Sequence, residues 1–267
     1  MGVAEANMVG ASAGLALSGK IPFAYSIVPF LIARCYDQIR MDVCYHRTNV
    51  KLVGVGGGFA YGNQGATHHA IEDVAVLRAL PNMTVVCPCD PLEAGKATKA
   101  AAAYPGPVYI RLWRQDEPAV YQSDYEFTIG KAISLRKGTD VTLIATGVVV
   151  RFALQAADLL QAKGIKAGVI NMHTVKPLDI EAVLSAAQQS GAIVTIEEHS
   201  IIGGLGSAVA EVLMESSLRR IRFKRLGVQD VFSEETEDTD HLYLRHHLTP
   251  PQIAEAAHDL IRSSGGD

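Results

Sequence analysis

The chain has 267 residues, of which 48% are apolar, and a formal net charge of -4. This length can bury one large hydrophobic core or two ordinary ones. Basic and acidic residues are interspersed and form no basic stripe. The sequence therefore gives no electrostatic basis for binding nucleic acid or an anionic membrane surface. The partner classes that remain are small molecules and other protein chains.

The cysteine content and the hydropathy of the sequence further limit the class of protein. The four cysteines are too sparse for a disulfide framework and lack the spacing of a zinc site, so we expect reduced thiols in the core: Cys35, Cys44, Cys87 and Cys89. No stretch approaches the roughly 20 apolar residues of a membrane span, and the first residues lack a secretory signal. We expect a cytoplasmic protein.

In the first block, short β-branched runs alternate with alanine-rich helical stretches, a pattern typical of parallel sheets covered by helices. Helices are predicted at 5–17, 30–43, 71–80 and 91–103, and strands at 22–26, 50–55, 83–86 and 107–112. Asp90 is the predicted N-cap of the last helix, with Pro91 in its first turn. A block of this kind normally has a strand and helix before the first helix seen here. We expect either a truncated start or a second chain that supplies that layer.

The polar stretch around Pro118 has little periodicity and predicts a linker over 115–127. The second block follows, with predicted strands at 141–145, 166–170, 192–196 and 220–225. Its predicted helices are 151–162, 180–189, 206–215 and 251–261, and the tail 263–267 should fray. The predicted fold class is α/β, with two doubly wound domains at 1–120 and 121–267. Each would have a mainly parallel sheet flanked by helices.

Glu5 follows a short apolar run and starts a helix whose residues 10–14 are all small. A carboxylate at such a junction is partly desolvated, which tends to raise its pKa and lets it share a proton with a ligand nitrogen. An acidic residue placed to suit the helix dipole explains the same position equally well. The residue alone does not decide between these interpretations.

Seven ordered segments spread over almost the whole chain resemble the C-terminal half of transketolases. Those of the first block resemble the pyrimidine-binding domain: GVAEANMVG (2–10), RCYDQIR (34–40), GNQGATHHAIED (62–73) and RALPNM (78–83). Those of the second block resemble the transketolase C-terminal domain: GTDVTLIATG (138–147), TVKPLD (174–179) and EEHSIIGGLG (197–206). The resemblance predicts an enzyme that uses thiamine diphosphate.

The resemblance implies cofactor contacts for three residues. Glu5 would hydrogen-bond N1′ of the aminopyrimidine and promote the imino tautomer, which deprotonates C2 of the thiazolium; the carbanion then attacks a ketose carbonyl. Phe30 would pack on the pyrimidine ring, although a core aromatic on a helix is the alternative. Tyr25, at the preceding strand end, would line the same pocket.

The resemblance also implies three substrate contacts. His68 would contact a substrate oxygen, since imidazole can donate or accept near neutral pH. Arg114 would bind the substrate phosphate through its guanidinium fork, the alternative being a linker arginine paired to Asp116 or Glu117. Gln64 stands where typical transketolases have an acidic residue that touches substrate hydroxyls.

Other polar groups receive weaker or structural interpretations. Arg111 is a weaker phosphate candidate than Arg114, and His69 is interpreted as structural. The segment 197–206 could hold an anion at its glycine-rich helix start. In the family the C-terminal domain mainly builds the dimer interface, so we interpret 197–206 and the pair His246-His247 as structural.

The chain departs from the family in two respects. Nothing matches the Gly-Asp-Gly to Asn motif that holds diphosphate and Mg²⁺, so no metal ligands are predicted here. An N-terminal partner subunit should supply that motif, in an α₂β₂ assembly where this chain also homodimerises through both domains. Gln64, Gly56 and Ile27 replace an acidic residue, a histidine and an aromatic residue of the family. These changes put the usual pentose phosphates in doubt and favour a specialised sugar or a role in secondary metabolism.

Two alternatives remain open. One is a subunit similar to deoxyxylulose-phosphate synthase or to the 2-oxoacid dehydrogenase E1 β chain, because the region 26–38 and the C-terminal domain are shared among these groups. The other is a non-catalytic paralogue that only dimerises or scaffolds a partner. Transfer of a two-carbon ketol unit by a split transketolase is the leading hypothesis.

Overall fold

A computed structural model describes residues 2–114, 118–233 and 237–262. In the first block the strands are β1 (Phe23–Ile27), β2 (Lys51–Val55), β3 (Thr84–Val86) and β4 (Val108–Leu112). The four predicted strands of this block are confirmed, and each begins one residue later than predicted. Helices α1 (Glu5–Leu17) and α5 (Pro91–Ala103) have the predicted bounds, and the Asp90 carboxylate accepts the Glu93 N–H at 2.7 Å as the expected cap.

The predicted helix at 30–43 is helical but not one regular helix. The chain forms α2 (Val28–Ile32), bends at Cys35 (φ -104°, ψ 15°), and continues as α3 (Tyr36–Gln38) and a π-helix at Ile39–Tyr45. The wider π turns bury Ile39, Val43 and Cys44. α4 (Asp73–Arg78) is shorter than its predicted span of 71–80.

The second block contains β5 (Ile133–Arg136), β6 (Val141–Ala145), β7 (Ala167–Asn171), β8 (Thr174–Lys176), β9 (Ala192–Ser200) and β10 (Arg222–Val228). Its helices are α6 (Val150–Ala162), α7 (Ile180–Ser190), α8 (Leu205–Glu215), α9 (Thr239–Arg245) and α10 (Pro250–Arg262). The eight predicted elements are present, and β9 and β10 extend further than predicted. The sequence patterns missed β5, β8 and α9. Residues 115–117 of the predicted linker and the tail 263–267 lie outside the described residues.

Two five-stranded sheets form the frame, in the orders β1-β2-β4-β3-β8 and β10-β9-β6-β7-β5. Both are parallel except at one edge, where β8 runs antiparallel to β3 and β5 antiparallel to β7. The expected α/β class with two mainly parallel sheets is confirmed. Because β8 comes from the second block but completes the first sheet, the two blocks interlock.

The apolar cores lie between each sheet and its helices. Leu52 and Tyr109 of the first sheet and Leu143 and Val194 of the second are fully buried. The four cysteines are buried thiols, as expected. None of the described helices has the length and hydropathy needed to cross a membrane.

Candidate functional site

Three parallel strands of the first sheet end side by side. Ile27 of β1 is in register with Val55 of β2, which is in register with Leu112 of β4. The segments that leave these strand ends carry Phe30, His68 and Arg114. Open α/β sheets place ligands outside the carboxyl ends of their strands, so this edge is where a site is expected.

Glu5 lies at the first position of α1, beside the end of β1, and is 8% exposed. Its carboxylate accepts hydrogen bonds from the Ser26 hydroxyl at 3.2 Å and from the Arg34 guanidinium at 2.8 Å. Arg34 is itself about half exposed. The carboxylate is therefore covered by only a thin layer of side chains.

The expectation of a raised pKa at Glu5 is wrong in this structure. The pKa of Glu5 lies below its ordinary value, first because its own backbone N–H at the start of α1 stabilises the carboxylate. Burial acts in the opposite direction, and the positive charge of Arg34 and the hydroxyl of Ser26 add to the lowering. The sequence argument considered desolvation and the helix start but not Arg34, whose contact exists only in the folded chain.

Phe30 is connected to the Glu5 carboxylate by Arg34, which contacts both. The guanidinium of Arg34 is 4.9 Å from the centroid of the Phe30 ring, on which it packs. Phe30 also contacts His68. The two rings meet edge-on, with centroids 5.3 Å apart. Phe30 thus links the carboxylate of Glu5 to the loop that follows β2.

The contacts continue from His68 to Arg114 through Tyr61. The rings of His68 and Tyr61 are 5.9 Å apart, and the Arg114 guanidinium lies 4.6 Å from the Tyr61 ring centroid. The Thr67 hydroxyl engages Nδ1 of His68 at 2.9 Å. Among the described residues, no hydrogen-bond partner reaches Nε2, so this nitrogen can face a ligand. Four predicted site residues therefore belong to one chain of contacts.

Two other predicted site residues are not brought into this chain of contacts. Tyr25 is 58% exposed, and it points to the face of β1 opposite to that of Ser26, because successive strand side chains alternate. Gln64 lies in a 3-10 turn, Gly62–Gln64, and its side chain is exposed. Their roles as cofactor and substrate contacts remain predictions.

Arg111, the weaker phosphate candidate, is committed elsewhere. It is 7% exposed and donates to the Asp73 carboxylate at 2.9 Å, to the Ala70 carbonyl at 2.8 Å and to the Glu198 carbonyl at 3.0 Å. These bonds satisfy the buried guanidinium and join the two sheets. Arg111 is structural in this fold.

The segment predicted to be structural, 197–206, lies at the same junction. The Glu198 carboxylate accepts from the Phe59 N–H at 2.8 Å and from the Tyr243 hydroxyl at 2.7 Å. A Cβ at Gly58 would lie 2.1 Å from Cδ of Glu198, so only glycine permits this approach. Glu197 accepts the first N–H groups of α8, at Leu205 and Gly206. The two ends of the segment, 197–199 and 204–206, are buried, whereas Ile202 between them is exposed.

The remaining histidines of interest are also structural. His69 is buried, contacts the Gly62 carbonyl through Nε2 at 3.0 Å and packs edge-on against Phe59. His246 is buried, is stacked on Phe59 at 5.0 Å and is hydrogen-bonded to Ser233 at 2.8 Å. The structural interpretations of His69 and His246 agree with these positions, whereas His247 of the same pair is exposed.

Sequence reasoning missed Arg34 and Tyr61 as members of the site. Arg34 belongs to the quoted segment 34–40, so that segment was a usable signal, but the partners of its guanidinium were not visible. Tyr61 follows a run of three glycines, Gly56 to Gly58, which was noted only as a departure. A glycine run beside an aromatic residue could have indicated close packing there.

Two family models match the chain in order. The transketolase pyrimidine-binding domain matches residues 1–118, and the transketolase C-terminal domain matches residues 130–253. The chain belongs to the transketolase family. This membership implies thiamine diphosphate as the cofactor and a transferase reaction.

The relatives of this transketolase chain include subunits of divided enzymes. It is 47% identical over 260 residues to the 6-deoxy-6-sulfo-D-fructose transketolase subunit SqwH of Clostridium sp. (strain MSTE9), a match that covers 97% of this chain and 80% of the relative. It is 49% identical over 230 residues to an apulose-4-phosphate transketolase subunit of Phocaeicola vulgatus, and this match covers 86% of this chain and 73% of the relative.

A solved structure supports the same placement within the transketolases. A split-gene transketolase in the form of an inactive β4 tetramer superposes with a TM-score of 0.89 and is 42% identical. The match covers 98% of this chain and 82% of that chain. These similarities identify the chain as the type of subunit that contains the pyrimidine-binding and C-terminal domains, and they imply a partner subunit.

The residues present fit the aminopyrimidine end of thiamine diphosphate. The fit rests on a planar group with N–H donors, the Arg34 guanidinium, which already bonds to Glu5 and packs on Phe30. In the imino tautomer the aminopyrimidine is a flat ring that carries a proton at N1′, so it can bind the same two partners. Within 2–114, 118–233 and 237–262, no group of three or more His, Cys, Asp or Glu side chains is arranged to hold a metal ion.

Proposed function

We propose that this chain is the C-terminal subunit of a split transketolase that transfers a two-carbon ketol unit between sugar substrates. The observation that carries the proposal is the single chain of contacts Glu5, Arg34, Phe30, His68, Tyr61 and Arg114 at the carboxyl edge of the first sheet. These contacts bring together the carboxylate of Glu5, the flat apolar ring of Phe30, the imidazole of His68 and the guanidinium of Arg114. The carboxylate can accept a hydrogen bond from a ring nitrogen. A scaffold requires none of these side chains.

In the proposed mechanism, bound thiamine diphosphate would supply the nucleophilic carbon and the electron sink for carbon–carbon bond cleavage. Glu5 holds and moves one proton at N1′ of the aminopyrimidine, and Phe30 orients the ring through its face. His68 hydrogen-bonds a substrate oxygen through Nε2. Arg114 holds the anionic end of the substrate, and Gln64 and Tyr25 remain candidates at the margin of the pocket.

We assign the diphosphate and Mg²⁺ to an N-terminal partner subunit. Exposed apolar side chains on and beside α1 support this assignment: Val3, Leu15, Leu17, Phe23, Tyr25 and Tyr45 are 40–89% exposed. Val3 precedes α1, and the others lie on α1, on β1 or on the π-helix; α1 packs against both β1 and the π-helix. An apolar surface of this kind marks a protein interface. The proposed assembly is α₂β₂ in the cytoplasm, with this subunit also contacting its own copy through both domains.

We propose a substrate with an anionic terminal group. The relatives named above act on a sulfo-sugar and on a sugar phosphate, and the exposed guanidinium of Arg114 can bind either anion. Gln64 and Gly56 differ from the residues of typical transketolases, which favours a specialised sugar over the usual pentose phosphates. We place the domain boundary within the linker 115–127, between a pyrimidine-binding domain at 1–120 and a C-terminal domain at 121–267.

The test is reconstitution with an N-terminal transketolase subunit that carries the diphosphate motif. The isolated chain should be inactive, and the mixture should exchange the C2 proton of thiamine diphosphate and transfer a ketol unit. Glu5→Gln should slow C2 proton exchange at least about 100-fold, because the proton relay is lost, while assembly is retained. Glu215→Gln, an exposed substitution of the same type on α8, is the matched control.

Three outcomes would contradict the proposal. Exchange at the wild-type rate in Glu5→Gln would exclude the assigned relay. Release of CO₂ from pyruvate without ketol transfer would favour the deoxyxylulose-phosphate synthase-like or E1 β-like alternative. Assembly with the partner without either reaction would favour the scaffold.

A further inference from the structure

We propose that Tyr61 is a positioning residue that fixes Arg114 relative to His68 and so strengthens the binding of a substrate with an anionic end. The inference rests on the proposed function and deepens it. Tyr61 is 8% exposed, whereas Arg114, which it contacts, is exposed. The rigid member of this pair is therefore the ring, and the guanidinium takes its position from it.

The position of the Tyr61 ring is enforced by the turn before it. Gly56 has φ +85°, and a Cβ there would lie 2.0 Å from Cε2 of Tyr61. The N–H groups of Gly56 and Gly57 both donate to the carbonyl of Leu112, at 2.9 and 3.0 Å. Leu112 is the last residue of β4, the strand that leads to Arg114. These two hydrogen bonds therefore fix the turn beneath the Tyr61 ring relative to the segment that carries Arg114.

Tyr61 contacts both side chains assigned to the substrate. Its ring centroid is 5.9 Å from that of His68 and 4.6 Å from the Arg114 guanidinium carbon. A ketose held at an oxygen by His68 and at its terminal anion by Arg114 must span the distance that the ring sets between them. Tyr61 is thus a positioning residue for Arg114, acting through the ring face.

Substitutions of Tyr61 can separate the effect of the ring's charge distribution from the effect of its shape. A guanidinium on an exposed aromatic face gains modest cation–π attraction, so loss of the ring should weaken anion binding by about 2- to 5-fold. Tyr61→Phe keeps the ring and removes only the hydroxyl. Tyr61→Leu removes the ring, and Tyr61→pentafluorophenylalanine keeps the shape of the ring while reversing its quadrupole.

The first measurement requires no substrate. In the isolated chain, the ¹H–¹⁵Nε heteronuclear NOE of Arg114 should fall in Tyr61→Leu and in Tyr61→pentafluorophenylalanine but not in Tyr61→Phe. The fluorinated variant decides the question if Tyr61→Leu fails to fold by circular dichroism. An Arg114 NOE that is unchanged in the fluorinated variant, or equally lowered in Tyr61→Phe, overturns the proposal.

The second measurement uses the reconstituted enzyme. For a ketose phosphate such as fructose 6-phosphate, Tyr61→Leu should raise KM about 2- to 5-fold with kcat nearly unchanged, and Tyr61→Phe should behave as wild type. For erythrulose, which has no anionic group, Tyr61→Leu should raise KM less than for the ketose phosphate, because only the contact with His68 is lost. An equal KM increase for both ketoses contradicts anion positioning. If the wild-type enzyme transfers no ketol unit, the proposed function fails, while the NOE still decides the role of Tyr61.

Discussion

Arg34 donates a hydrogen bond of 2.8 Å to Glu5, and the same guanidinium lies 4.9 Å from the centre of the Phe30 ring. The carboxylate proposed to bind the aminopyrimidine is therefore ion-paired within its own chain. The pair favours the ionised carboxylate, so Glu5 can hold a proton for N1′ only when its contact with Arg34 is weakened. Any ring nitrogen that binds Glu5 must share it with Arg34 or displace it.

We expect Arg34→Gln to raise the pKa of Glu5 relative to wild type, because a positive charge beside the carboxylate is lost. The check is a ¹³C NMR titration of the Glu side chains, with Glu5→Gln to assign the signal. Unchanged titration of Glu5 in Arg34→Gln would contradict the ion pair.

The same pair predicts a pH-dependent difference in stability. Because the folded-state pKa of Glu5 is lowered, its stabilising contribution is present above its ordinary pKa and is lost as pH falls through the folded value. Arg34 is about half exposed, so Arg34→Gln should cost at most about 1 kcal/mol at pH 7. That difference in the free energy of unfolding should shrink near pH 3. Arg40→Gln, an exposed arginine on the π-helix, is the control.

For Glu198 we expect a contribution to folding stability with the opposite dependence on pH. Burial raises its pKa from 4.5 to about 6, so the folded state prefers the protonated acid. Its contribution is fully present below pH 4.5 and is lost as pH rises through 6. Glu198→Gln mimics the acid and can keep both bonds at Oε1, so its stability relative to wild type should improve by about 2 kcal/mol between pH 4.5 and 7. Urea unfolding at several pH values measures this change, and a parallel pH profile for the two proteins would refute it.

Asp73 neutralises the buried guanidinium of Arg111. One oxygen of Asp73 accepts from Arg111 at 2.9 Å and from the Tyr109 hydroxyl at 2.6 Å. Asp73→Asn should cost about 3–5 kcal/mol of unfolding free energy, because a buried charge loses its counter-ion. Tyr109→Phe removes one hydrogen bond to the carboxylate and should cost less, about 1.5–3 kcal/mol. Similar losses for the two variants in denaturant titrations would contradict the assigned charge pairing.

Lys51 lies at the start of β2, at the end of the first sheet opposite to the candidate site. Its fully buried ammonium donates to the Asn49 side chain and to the Tyr104 and Gly106 carbonyls, each at 2.7 Å. Lys51→Met preserves the apolar stem but removes the donor from the Tyr104 and Gly106 carbonyls, while the Asn49 oxygen still accepts from the Gly106 N–H, so we expect a loss of about 2–5 kcal/mol. Lys163→Met, at an exposed position after α6, should change stability by less than about 0.5 kcal/mol. Chemical denaturation of both variants tests the contrast.

Local patterns determined most of the secondary structure. α5 was predicted to the residue because Asp90 and Pro91 mark its start and alanines favour its length. Three residues at 174–176 gave no strand signal, because β8 exists through its pairing with β3 of the other block. The helix predicted at 30–43 was interrupted for a similar reason, since burial of Ile39, Val43 and Cys44 prevails over local helical periodicity.

The sequence by itself determined the α/β class, the position of most elements, the transketolase resemblance and the motifs that contain Glu5, Phe30, His68 and Arg114. Only the tertiary structure decided which side chains join them. Arg34 and Tyr61 connect residues that are far apart along the chain, and Arg111 is committed to Asp73 and Glu198. Hydrogen-bond periodicity is local and can be read along a sequence, whereas the partner and pKa of a charged group depend on distances that only folding fixes.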